Sequence, residues 1–112
     1  MLTPATEPVW NYLKEQPALA GFVLVGGSAL ALTIQHRLSE DLDFIFLEAN
    51  LPAKRLDALC LQARIDGFDF QRNDDEAALE DFARGGLELH DAQQDFLVNG
   101  AVKVSFFVAN DS

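Results

Sequence analysis

The residues best suited to chemistry lie between positions 25 and 46: Val25-Gly26-Gly27-Ser28, twelve residues, then Asp41-Leu42-Asp43-Phe44. Side chains two apart in a strand point to the same face, so Asp41 and Asp43 would set two carboxylates side by side. Adjacent negative charges repel unless a cation lies between them. A hard divalent ion, Mg²⁺ or Mn²⁺, answers this, because such an ion takes oxygen ligands and keeps positions for water and substrate phosphates. Gly26, Gly27 and Ser28 supply the complement. Glycines let the backbone approach a phosphate closely, and the N–H groups that open a helix favour an anion. Together these parts make a site for phosphoryl or nucleotidyl transfer. Singly, each has a plainer reading: a tight turn for the glycines, a solvated strand edge for the aspartates. Their order and spacing carry the combined one.

The elements that must position these residues follow from local pattern. Phe22-Val23-Leu24-Val25, bounded by glycines, predicts a buried strand. Residues 28–35 are rich in helix formers, with Leu30 and Ile34 on one face, so the motif reads strand, glycine turn, helix. Residues 36–40 form a polar loop, and residues 41–47 a strand with one face toward a cleft. Upstream, Thr6-Glu7-Pro8 predicts a helix start with Thr6 as N-cap, carrying Val9, Trp10 and Leu13 inward and stopping before Pro17. Downstream, Pro52 opens a helix to about residue 65 with Leu56, Leu59, Cys60 and Ala63 at spacings of three and four, and Gly67 closes it. A short strand over 68–71 and a helix over 73–84 come next, the latter beginning in the cap-like run Asn73-Asp74-Asp75-Glu76. Strands over 94–98 and 102–108 flank Asn99-Gly100, a strong hairpin signal.

The segment Gly26-Gly27-Ser28-Ala29-Leu30-Ala31-Leu32, followed by His36-Arg37-x-Ser39-x-Asp41-Leu42-Asp43-Phe44, resembles the nucleotidyltransferases of the AbiEii/AbiGii toxin family. That family sits in the DNA polymerase β-like nucleotidyltransferase superfamily. The likeness extends from about Gly21 to Val108, with Gly100-x-Val102-Lys103-Val104-Ser105-Phe106-Phe107 similar to the family's later hairpin strand. It implies an α+β chain with a minimal nucleotidyltransferase fold, a small mixed sheet covered by helices. It further implies transfer of a nucleoside monophosphate from NTP to an acceptor, with Mg²⁺ assistance. On this likeness Asp41 and Asp43 bind metal and serve catalysis, and Gly26, Gly27 and Ser28 hold the triphosphate. Arg37 and Ser39 approach the phosphates from the preceding loop. The implied setting is a toxin of a bacterial toxin–antitoxin or phage-defence pair, with a cognate antitoxin as partner and RNA among the acceptors. One departure stands out. The superfamily places a third carboxylate on the later strand as general base, and Ser105 occupies that position here. Asp95 across the hairpin, or Asp111 beyond it, could substitute, although neither has the expected spacing. A second reading therefore stays open: a degenerate module that binds nucleotide or a protein partner without turnover. A purely structural acidic adaptor is the third.

With 112 residues, 49% of them hydrophobic, the chain has enough for one domain over residues 1–112 and too little for two cores. The polymerase-like fold often carries a further helical portion for the acceptor, and little here could serve. The chain ends soon after an apolar strand, which leaves open a longer protein. Eight Lys plus Arg against eighteen Asp plus Glu leave a charge of −10, which argues against broad DNA or RNA binding and against an anionic membrane surface. Nucleotides remain accessible where a metal carries the positive charge. Cys60 is the only cysteine, so no intrachain disulfide forms. Residues 1–17 lack the features of a secretory signal, and the uncharged stretch over 16–35 is broken by Pro17 and three glycines. No membrane span is expected, and the cytoplasm is the expected compartment.

The remaining residues have modest readings. His36 either meets phosphate or acceptor or bonds only nearby backbone. Arg37 either serves the site or complements a helix end. Lys103 alternates to the face of Ser105, as a solvated residue or one reaching the cleft. His90 and Cys60 have no partners at zinc-ligand spacing. Asp74, Asp75, Glu76, Glu80 and Asp81 read as a solvated helix face; Trp10, Phe22, Phe44, Phe46, Phe106 and Phe107 read as core.

Overall fold

A computed structural model describes residues 3–25 and 41–109. In chain order these form helix α1 (Thr6–Leu13), strands β1 (Phe22–Val25) and β2 (Asp41–Phe46), helix α2 (Ala53–Ile65), strand β3 (Phe70–Arg72), helix α3 (Glu76–Arg84), and strands β4 (Gln93–Val98) and β5 (Val102–Val108). Short 3₁₀ turns precede β1 and β4, at Pro17–Leu19 and Leu89–Asp91. The five strands make one mixed sheet in the order β1-β2-β5-β4-β3. β2 and β5 run parallel, and the other three pairings are antiparallel. The α+β architecture is the one the sequence predicts.

Alternation along the central strands decides which face is covered. Leu42, Phe44 and Phe46 of β2, Val104 and Phe106 of β5, and Phe96 and Val98 of β4 point into the core, with Val9 and Leu13 of α1 and Leu56, Leu59 and Ala63 of α2. Phe106 is fully buried among rings, its centroid 5.4 Å from Phe22, 5.4 Å from Phe44 and 5.9 Å from Phe96. Burying such a side chain is worth roughly 1.5–3 kcal/mol. The opposite face of the same strands carries Asp41, Asp43, Lys103 and Ser105 together with Ile45 and Phe107.

The approach to β1 is held by two devices. Arg55 of α2 donates to the carbonyl of Ala18 from Nε at 3.1 Å and from Nη2 at 2.7 Å, and Nη2 also reaches the carbonyl of Ala20. Its guanidinium lies over the Phe46 ring, 5.7 Å from the centroid. Gly21 has φ +86°, and a Cβ there would come within 2.9 Å of Phe46 Cε1. Only glycine meets both demands.

Several expectations are corrected. Thr6 is not the N-cap of α1: Ala5 stands there, and Thr6 is fully buried in the first turn. Thr3 does the local bonding instead, accepting from the Thr6 N–H at 3.2 Å and pairing with its hydroxyl at 2.8 Å. Packing of Thr6 overrides its capping preference. The third strand spans Phe70–Arg72 rather than 68–71, because Phe70 pairs with Val98 and must point inward. Asp75 alone caps α3, accepting from the N–H groups of Ala77 and Ala78 at 3.0 and 3.4 Å. Asp74 is not on a solvated helix face; it precedes the helix and meets His90 Nε2 at 3.1 Å. Phe107 is not core, since it lies half-buried on the face opposite Phe106. The predicted glycine turn, the helix over 28–35 and the loop over 36–40 lie outside the described residues. No helix among the described residues is long and apolar enough to cross a membrane.

Candidate active site on the sheet face opposite the core

With Leu42, Phe44 and Phe46 committed to the core, Asp41, Asp43 and Ile45 must emerge on the other face. The ladder sets their neighbours. Asp43 pairs with Val25 on one side and with Ser105 on the other, and Ser105 pairs with Asp95. Directly opposed residues share a face, so Val25, Asp43, Ser105 and Asp95 form one row across four strands, about 5 Å between strands. Asp41 and Lys103 are paired in the row before it.

Burial grades across this row. Asp41 and Lys103 are exposed, Asp43 is half-buried, and Ser105 and Asp95 retain only 6% and 8% of their accessible surface. Asp95 is held from two directions. Its Oδ2 accepts from Gln93 Nε2 at 2.8 Å, and its backbone carbonyl accepts from the Asn73 N–H at 2.9 Å. Burial pushes the Asp43 carboxyl above its ordinary value, and the charge of Asp41 adds to this. The Lys103 ammonium opposes the rise, while Asp95 contributes to it. Such a balance favours any positive charge that reaches this face.

The structure sets Asp41 and Asp43 on one face, and on the same face lies Asp95, the carboxylate across the hairpin that the sequence offers as a substitute base. The hairpin explains its register. Asn99 and Gly100 have φ of 55° and 68°, and the Ala101 N–H closes the turn on the Val98 carbonyl at 3.1 Å. A simple two-residue hairpin would then pair Val98 with Ala101 and Asp95 with Val104. The ladder instead pairs Val98 with Val102, Ala101 being extra, so Asp95 faces Ser105. A sequence signal for this existed: only that register puts Phe96 and Val98 on the same face as Val102, Val104 and Phe106. Gln93, which braces Asp95, is a residue that sequence reasoning missed, and no local pattern marks it.

Gly26, Gly27, Ser28, His36, Arg37, Ser39 and Asp111 lie outside the described residues. Val25, the residue before the glycines, is the register partner of Asp43. Among the described residues no group of three or more His, Cys, Asp or Glu side chains is gathered to hold a metal ion. Two hard carboxylates on one face still fit Mg²⁺, which is commonly bound through one or two carboxylates with waters and substrate phosphates. Away from this face, burial pushes the Cys60 thiol up to about 11, with Arg72 opposing and Asp57 reinforcing the rise.

A family model described as nucleotidyl transferase AbiEii toxin, type IV toxin–antitoxin system, matches residues 11–111. Neither a search of curated proteins nor a search of solved structures returned a match.

Proposed function

The chain belongs to the AbiEii family of nucleotidyl transferase toxins of type IV toxin–antitoxin systems, and from that premise we propose the following activity. The protein transfers a nucleoside monophosphate from NTP to an RNA, protein or small-molecule acceptor, with Mg²⁺ or Mn²⁺ held by Asp41 and Asp43. It acts in the cytoplasm, and a cognate antitoxin restrains it. The observation that carries this reading is the position of Asp41 and Asp43 on the sheet face opposite the aromatic core, next to a strand that leads into Gly26-Gly27-Ser28.

Each residue has a task. Gly26, Gly27 and Ser28 bind the triphosphate, and Arg37 and Ser39 meet its oxygens. Asp41 and Asp43 hold the divalent ion, whose contribution is Lewis-acid polarisation of the reacting phosphate. Ser105 cannot take a proton at neutral pH. Asp95, the register partner of Ser105, is the carboxylate that would accept the proton of the incoming hydroxyl. Gln93 orients that carboxylate through its hydrogen bond.

Ser105 also motivates a second reading, in which nucleotide is bound without transfer. Incubation with radiolabelled NTPs, Mg²⁺ and total RNA or protein extract separates the two. Label transfer that Asp43→Asn abolishes supports the enzyme. Mg²⁺-dependent NTP binding with no labelled product supports the degenerate module. NTP binding that ignores both Mg²⁺ and Asp43 overturns both.

A further inference from the structure

Beside the charged row lies an apolar one. Ile45, Phe107 and Gln93 are register partners across β2, β5 and β4. They share the face of Asp43, Ser105 and Asp95 and stand about 6.6 Å away, two residues along each strand. Phe107 and Gln93 line a cleft of about 530 Å³ with Phe82 of α3, and Ala49, Ala92 and Ala109 border it. α3 has no fully buried residue, and its apolar positions Ala78, Leu79 and Phe82 are all half-buried. Phe82 therefore offers part of its ring to the cleft.

The chemistry of this space is specific. None of its lining side chains among the described residues is charged, although the chain carries −10. Two aromatic side chains favour a planar π-system, which stacks on such rings. The volume falls within the range of small-molecule sites. Gln93 supplies a polar edge: one amide N–H is committed to Asp95, which leaves its carbonyl oxygen and second N–H available. A nucleotide has the matching two-part character. Its polyphosphate needs a cation beside the carboxylates, its base is flat and neutral, and a ribose separates them by about one row of the sheet. The geometry points to the cleft between Phe82 and Phe107 as the seat of the donor nucleotide's base, with Gln93 bonding its edge. This rests on the reading of Asp41 and Asp43 as the metal and phosphate site. Gln93 then couples base recognition to Asp95, since one amide serves both.

The test compares binding of each of the four NTPs with binding of inorganic tripolyphosphate, all with Mg²⁺, by calorimetry. The proteins are the wild type, Phe82→Ala, Phe107→Leu and Asp43→Asn. At least one NTP should bind the wild type about tenfold more tightly than tripolyphosphate, and each phenylalanine variant should remove most of that margin. Tripolyphosphate binding should be unchanged in Phe82→Ala and Phe107→Leu. Equal affinity of NTPs and tripolyphosphate, or an NTP preference that survives both substitutions, overturns the base site. Equal loss of both ligands in the phenylalanine variants does so as well. Tripolyphosphate binding that depends on Asp43 would leave the phosphate site standing in those cases. Tripolyphosphate that fails to bind, or binds equally well to Asp43→Asn, removes the phosphate site and the base site with it.

Discussion

Placing a carboxylate at position 105 tests the row directly. Ser105 is almost fully buried between Asp43 on one strand and Asp95 on the other. Ser105→Asp would set a third negative charge about 5 Å from both neighbours, and each repulsion is worth about 0.8 kcal/mol at a water-like dielectric and about 3 kcal/mol at an effective value of 20. The cost has a ceiling. The new carboxyl can stay protonated, which from an ordinary value near 3.9 costs about 4 kcal/mol at pH 7. The expected loss is therefore about 2–4 kcal/mol, or a fall in Tm of about 8–16 °C for a chain of this size. Ser105→Asn controls for bulk, so thermal melts should be read as the difference between the two variants. The introduced acid has a raised folded-state value, so its penalty is complete above that value and fades as pH falls toward the ordinary carboxylate range. Mg²⁺ should shrink the gap at pH 7. If Ser105→Asp and Ser105→Asn melt together at pH 7, the three side chains do not face one another and the site assignment fails.

Three other perturbations follow from the same structure. Because burial, Asp41 and Asp95 raise the Asp43 carboxyl, Asp43→Asn should melt above the wild type without Mg²⁺; the advantage should be absent at low pH and grow as pH rises past the ordinary carboxylate range. Equal Tm at pH 4 and pH 7 would contradict it. Arg55→Met removes the bonds to the Ala18 and Ala20 carbonyls and the stacking on Phe46. Water replaces part of this, so the cost should be about 1–2 kcal/mol and about 4–8 °C in Tm, with weakened Mg²⁺–NTP binding because β1 leads into Gly26 and Gly27. Asp75→Ala deletes the cap of α3 and should cost about 1 kcal/mol. As that helix has no fully buried residue, the loss should appear as faster amide exchange confined to α3.

The shared face of Asp41 and Asp43 in the candidate site was legible because it rests on local periodicity. Alternation over residues 41–46 is a property of the chain alone, so any fold that buries Leu42, Phe44 and Phe46 must turn Asp41 and Asp43 together to the other side. The same argument gave the hairpin strands and the inward stripe of Leu56, Leu59 and Ala63. Three corrections trace to burial overriding a local preference: Thr6 taken inside, Phe107 left outside, and Asp74 drawn from its presumed helix face to His90. What tertiary structure decided was adjacency. No pattern in the chain says that β2 lies parallel beside β5, that Gln93 reaches Asp95, or that Phe82 of α3 shares a cleft with Phe107. The extra residue at Ala101 sits between these cases: the turn residues alone argue for the wrong partner of Asp95, and the demand that both strands bury their apolar sides together corrects it. A side chain's face follows from its own neighbours in sequence, whereas its partners across strands follow from the burial of the whole sheet.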